Sequence, residues 1–219
     1  MFLYLVRHGQ SQNNAGASVL DPLLTEKGHE QARRAGKALI RKDVRDRLTL
    51  PVPTVVVASP MRRALQTARH VADAIGIENV LVRHDTHECT GPQDGRLVRD
   101  TIATEFPKTV IDEDMPDGAW WPAVKEDANA SEQRARKVLI WLREKYGGTD
   151  AVVALVTHGA FGGFFLGTLL GNPFARMVQM TQFNCAISLF DLDAQADIGK
   201  VTRCWFVNET THVWPDLIT

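Results

Sequence analysis

Along the chain, short β-branched runs alternate with longer segments whose apolar residues recur at a helical period. Phe2–Val6 predicts a first strand. Behind Thr25, a candidate N-cap, Ala32, Ala35, Leu39 and Ile40 share one helical face, while Arg33, Arg34, Lys37, Arg41 and Lys42 form a solvated one. Thr54–Ala58 predicts a central strand buried on both sides. Ser59-Pro60 then offers an N-cap and a proline at the first helical position. Ala64, Leu65, Ala68, Val71, Ala72 and Ile75 line that helix as far as Gly76. Val80–Arg83 predicts another short strand.

From His84 to Asn129 the pattern weakens into Gly, Pro and acidic residues, with Trp120-Trp121 standing alone. A long irregular stretch in a compact domain predicts an active-site insertion or lid. Order returns with a helix near Ser131–Tyr146, a buried strand at Ala151–Val156, a helix at Phe161–Leu170, and strands at Ala186–Asp191 and Val201–Val207 that suit an edge hairpin. This rhythm predicts an α/β fold, a three-layer α/β/α sandwich on a mostly parallel central sheet. At roughly 150 residues per domain, 219 residues predict a single domain, 1–219, carrying the lid-like insertion near 84–129.

Composition narrows the function classes. Apolar residues are 44% and charged residues 23%, an ordinary globular balance. With 25 Lys+Arg against 26 Asp+Glu, no global field draws the chain to nucleic acid, so any anion site is local. Cys89, Cys185 and Cys204 are odd in number and widely spaced, which suits a reducing cytoplasm better than a disulfide scaffold or a zinc site. Met1–Val6 lacks the basic start and length of a signal peptide. Ala151–Leu170 is long enough to span a membrane, but Thr157-His158-Gly159 breaks it, and a strand, turn and helix explain it better. Trp120, Trp121 and Trp214 are candidates for a homodimer contact or for packing inside the domain.

The candidate chemistry stands at strand ends. Arg7, His8 and Gly9 follow the first strand; Ser59, Arg62 and Arg63 follow the second; Thr157, His158 and Gly159 follow the strand at Ala151–Val156. Open α/β sheets bind ligands at the carboxyl ends of their strands. Folding therefore gathers histidines and arginines on one edge, where an arginine in a first helical turn adds its charge to free N–H groups. That set suits a phosphoryl group. His84, His87 and Glu88 imitate a ligand cluster, but their spacing suits a closed metal site poorly. Arg83, Arg96 and Arg99 could read a second anion, or be solvated loop residues; the carboxylates within Asp112–Asp117 could help the lid repel polyanions.

These residues carry a resemblance. Leu5-Val6-Arg7-His8-Gly9-Gln10-Ser11, with Asn14 following, resembles the signature of the histidine phosphatase superfamily, which includes the cofactor-dependent phosphoglycerate mutases. Leu24–Ala32, Ser59–Ala68, Thr157-His158-Gly159 and Phe183-Asn184 resemble its later motifs, in order. The resemblance implies a phosphoglycerate mutase-like fold and makes His8 the nucleophile of a phosphohistidine mechanism. It implies that Arg7, Arg63 and His158 hold the phosphoryl oxygens, with Arg63 rather than the outward-facing Arg62 in that role. Asn14 and the Gly159 amide would bind the same group. Glu88 is the proton donor implied by motif register, with a raised pKa from burial or a nearby phosphate, and Asp85 and Asp94 are its alternatives. No metal or other cofactor is expected, and the partner is a small phosphorylated metabolite, with no nucleic acid and no membrane. Glu88–Gly95 departs from the mutases' aromatic and glycine motif, which favours hydrolysis over mutase transfer. A non-catalytic phospho-ligand protein on the same fold is the reading from another class.

Overall fold

The computed structural model describes residues 1–40, 50–89, 97–171 and 180–219. Its elements are β1 (Phe2–Arg7), α1 (Glu26–Ile40), β2 (Val55–Ala58), α2 (Arg62–Ile75), β3 (Val80–Val82), α3 (Arg99–Glu105), β4 (Thr109–Ile111), α4 (Ala128–Tyr146), β5 (Val152–Thr157), α5 (Gly159–Leu169), β6 (Ile187–Ala196) and β7 (Gly199–Glu209). Among the described residues the strands form one seven-stranded sheet in the order β4-β3-β2-β5-β1-β6-β7. β1 to β5 run parallel, while β6 is antiparallel to β1 and to the edge strand β7.

Successive side chains on a strand point to opposite faces, and both faces here are apolar. Tyr4, Val6, Val56, Ala58, Ala154 and Val156 enter one core with the buried stripes of α1 and α2. Leu3, Leu5, Val57, Val153 and Leu155 enter a second with α4 and α5. That is the expected three-layer sandwich. Each fully buried Val or Leu contributes about 1.5–3 kcal/mol, enough over several strands to hold the sheet's carboxyl edge rigid. Ala151–Leu170 resolves into β5, a turn and α5, and no helix among the described residues is long and apolar enough to cross a membrane.

Several expectations need correction. Ile40 is 39% exposed at the end of α1 and does not join its apolar face; Arg41 and Lys42 lie outside the described residues. Helix α2 begins at Arg62, with Met61 rather than Ser59 at the N-cap; the Ser59 hydroxyl accepts from Met61 N at 3.3 Å, just ahead of the helix, and also bonds His158 Nε2. The stretch from His84 to Asn129 is not one irregular lid. Within it, α3 and β4 are regular, and β4 extends the central sheet beyond β3. Trp120 is buried, its indole N–H donating to Leu97 O at 2.6 Å, and Trp121 packs partly against the same core. Trp214, at 62%, is well exposed.

The arginines expected in solvent are also tied down. Arg83 is 1% exposed and bonds Asp85, Asp112 and Asp114. Arg99 donates to the carbonyls of Asp112 and Met115 and pairs with Asp117. These contacts neutralise carboxylates proposed for repelling polyanions. Arg96 lies outside the described residues.

Candidate active site

Parallel strands β1, β5 and β2 lie side by side, so their carboxyl ends open onto one edge. The backbone there is fully laddered: His8 N donates to Thr157 O at 2.9 Å and Ser59 N to Val156 O at 3.1 Å. This register brings His8 and His158 together, with ring centroids 5.1 Å apart and planes at 60°. Both rings are almost wholly buried.

The tautomer of His8 follows from its neighbours. Arg63 Nε lies 3.1 Å from His8 Nε2, and Nδ1 lies 2.6 Å from Gly9 O. A guanidinium N–H only donates, and a carbonyl only accepts. Nδ1 therefore carries the proton and Nε2 the lone pair. Burial holds the ring well below the ordinary histidine value, and the charges of Arg63 and Arg7 push the same way against the opposing Gly9 bond. His158 is held well below it too, first by burial and then by Arg63 and His8. Its Nε2 lies 2.7 Å from Ser59 Oγ, while Nδ1 is buried without a partner.

Arg7 ends β1 and donates to Gln182 O, leaving its Nε buried without a partner. Gly159 opens α5 beside it: a Cβ there would stand 3.3 Å from Arg7 Nε, a tight contact to which the guanidinium would have to yield by a few tenths of an ångström. Burial lowers the pKa of both Arg7 and Arg63, partly offset by the nearby charge of Glu88. Asn14 has its amide oxygen held by Ser11 N and Oγ, at 3.1 and 3.0 Å, in the exposed loop after β1. This anchoring leaves its NH2 as the free donor group among the described residues.

Helix N-termini here are occupied by protein carboxylates, which sequence reading did not foresee. Asp21 accepts from Arg62 N at 3.2 Å, at the start of α2, and lies 3.8 Å from the Arg63 guanidinium. Glu88 accepts from Phe161 N at 2.9 Å and Ala160 N at 3.2 Å, in the first turn of α5. Carboxylates favour those dipole ends for the reason that phosphate would. Arg62 is paired with Glu105 at 2.7 Å on the outer side, so Arg63 is the arginine that meets His8. Of the alternative donors, Asp85 is bound by buried Arg83, and Asp94 lies outside the described residues. His87 Nδ1 bonds Glu88 O, and His84 Nδ1 is buried without a partner. Among the described residues no group of three or more His, Cys, Asp or Glu stands in metal-holding geometry.

The late asparagine is a support. Asn184 Nδ2 donates to His8 O at 2.9 Å, and Cys185 N donates to Arg7 O at 3.0 Å, so the segment before β6 fixes the backbone of the Arg7-His8 pair. Gly9 N is held by Thr67 Oγ1 at 3.1 Å from α2. Gln182 and Asp21 carried no signal in the sequence, because each acts through a partner far along the chain; Thr67 lies in the Ser59–Ala68 motif, but its bond to Gly9 could not be read there.

Two buried imidazoles, both held well below the ordinary histidine value, thus stand with Arg7 and Arg63 at the carboxyl edge of a parallel sheet. The sequence model of the Histidine phosphatase superfamily (branch 1) matches residues 3–202, and the chain belongs to that family. A probable phosphoglycerate mutase GpmB of Enterobacter sp. (strain 638) is 30% identical over 199 residues, covering 86% of this chain and 84% of that protein. A glucosyl-3-phosphoglycerate phosphatase of Mycolicibacterium vanbaalenii is 30% identical over 183 residues, 78% of this chain and 75% of that one. The native structure of a mycobacterial glucosyl-3-phosphoglycerate phosphatase superposes with a TM-score of 0.62 at 25% identity, covering 94% of this chain and 98% of its own. YhfR of Bacillus stearothermophilus shares the fold at TM-score 0.67 and 21% identity, over 97% and 98%.

Proposed function

We propose that the protein is a metal-independent phosphomonoester hydrolase that acts on a small phosphorylated metabolite through a phosphohistidine on His8. The observation that carries this reading is the Arg63 Nε–H bond to His8 Nε2, which requires an unprotonated nitrogen among fixed cations. As substrate enters, the guanidinium exchanges the imidazole for phosphoryl oxygens and frees the lone pair. The Nε2–P bond forms as the P–O ester bond breaks, and the leaving alkoxide takes a proton from Glu88. Water then attacks phosphorus, the Nε2–P bond breaks, and the proton from water returns to Glu88. Arg7, Arg63 and His158 stabilise the equatorial oxygens, and Asn14 and the Gly159 amide add donors. Arg7 Nε, left unsatisfied by the protein, is a donor that a phosphoryl oxygen would satisfy.

Hydrolysis is supported by the glucosyl-3-phosphoglycerate phosphatase likeness and by the sequence after Glu88, which departs from the mutase motif. The second reading, phosphoglycerate mutase-type transfer, is favoured by the GpmB likeness. Three free thiols at Cys89, Cys185 and Cys204 support a cytoplasmic setting. The test is phosphate release from p-nitrophenyl phosphate in EDTA, with wild type and His8→Ala, alongside trapping of labelled phosphate on the protein. Wild type is expected to turn over and to trap label, and His8→Ala to do neither. Activity surviving in His8→Ala overturns the nucleophile; a wild type that binds phosphate without turnover leaves a binding protein. Isomerisation of 3-phosphoglycerate faster than phosphate release selects the mutase.

A further inference from the structure

Arg134 of α4 stands behind Glu88 and touches both elements that hold it. One guanidinium nitrogen donates to the carbonyls of Asp85 and His87, at 2.9 and 2.8 Å, in the segment that leads from β3 to Glu88. The guanidinium carbon lies 4.3 Å from the centre of the Phe161 ring. Phe161 N is the amide that holds Glu88 Oε1 at 2.9 Å. The remaining nitrogens form a two-pronged bond with Glu126, at 2.7 and 2.5 Å. Both side chains are about one-tenth exposed, so water screens the pair little.

We propose that Arg134, oriented by Glu126, is a positioning residue for the proton transfer carried by Glu88. This rests on Glu88 being the acid in the reading above. The guanidinium ties the β3 end to the first turn of α5, so the carboxyl group is held from both sides. A planar fork with donors in three directions is needed, because the two carbonyls, the carboxylate and the ring lie on different sides of it. Lysine keeps the charge but cannot make all of these contacts at once. Asp127 caps α4 by accepting from Ala130 N at 2.7 Å, which fixes Glu126 at the mouth of the helix that carries Arg134. The end of the stretch 84–129 thereby helps set the acid.

A leaving-group comparison tests this. Nitrophenolate departs without a proton, whereas an alkoxide needs one, so loss of acid positioning is read as a selective loss of kcat/KM on alkyl esters, the later water attack being common to both. Arg134→Met and Arg134→Lys would be assayed with p-nitrophenyl phosphate and with glycerol 2-phosphate, beside Glu88→Gln, with circular dichroism confirming the fold. General acid catalysis contributes about 100-fold or more, so Glu88→Gln is expected to lose roughly that on the alkyl ester and far less on the aryl ester. Arg134→Met is expected to lose about tenfold selectively in kcat/KM, which reports phosphohistidine formation and not the hydrolysis step that both esters share, and Arg134→Lys less than that. Equal losses on both esters in Arg134→Met, with Glu88→Gln still selective, overturn the positioning role. Equal losses in Glu88→Gln place the acid elsewhere and overturn both assignments. If Arg134→Met does not fold, Glu126→Gln, which loosens the fork while keeping its size, must show the selective loss; a parallel loss there also overturns the proposal.

Discussion

Arg63 acts on His8 in two ways, through a bond that fixes the tautomer and a charge that resists protonation. Arg63→Met removes both. His8 would then take a proton at a higher pH, so the acid limb of the pH profile for kcat/KM is expected to move up, and activity at neutral pH to fall by at least tenfold through lost phosphoryl stabilisation, a loss on the order of 1.4 kcal/mol or more. A profile measured from acidic to neutral buffers checks this; an unmoved acid limb refutes the electrostatic role. The same buried histidines set a stability slope. His8 and His158 are held below the ordinary value of 6.5 in the fold, whereas the unfolded chain takes up protons near it. Above 6.5 neither state binds them and nothing is lost. Below it the unfolded state binds protons that the folded state refuses, so stability falls by about 1.4 kcal/mol per pH unit for each ring, until the folded pKa is reached. Urea melts across that range are expected to show the loss, and His158→Asn to show about half of the slope from these two residues.

At the level of elements, the loop after β1 and the start of α1 meet backbone to backbone. A Cβ on Gly28 would lie 2.1 Å from Gln10 O, and one on Gly9 would lie 2.4 Å from Gly28 O. Neither obstacle is a flexible side chain, so Gly28→Ala is expected to cost roughly 1–3 kcal/mol in a urea melt and to displace the Arg7-His8 backbone, lowering turnover as well. Elements were legible wherever the signal is local. Thr25 caps α1 as its position implies, with Oγ1 accepting from Gly28 N at 3.0 Å, and Gly76 ends α2 at φ 77°. Ser59 was legible in part: its hydroxyl accepts from Met61 N at 3.3 Å just ahead of α2, but its second bond, to His158 99 residues away, carries no local signal. β4 was hidden because three residues at a sheet edge carry too little apolar pattern to separate from a loop.

Over the whole molecule, the strand-end residues Arg7, His8, Arg63 and His158 were legible because parallel topology alone brings those ends together. Glu88 was legible through motif register, yet its hold on the first turn of α5 was not, nor were Asp21 and Arg134, whose partners are set by packing. Gln31 shows how far such coupling reaches. Wholly buried in α1, it accepts from Gln10 N at 2.7 Å, and its NH2 donates to Leu217 O and Thr219 Oγ1 at 2.6 and 2.8 Å. Thr219 Oγ1 donates in turn to Asn184 Oδ1, and Asn184 Nδ2 to His8 O. One chain of bonds thus joins α1, residues 217–219 and the nucleophile's backbone. Gln31→Leu preserves the volume but strands the Gln10 amide and the Leu217 carbonyl, at about 1–3 kcal/mol for each group left unpaired. The expected result is a urea midpoint lowered accordingly, earlier proteolysis after Val213, and turnover reduced more than KM is raised, since the lost restraint lies behind His8. Unchanged kcat in a destabilised Gln31→Leu protein would confine the network to holding the fold.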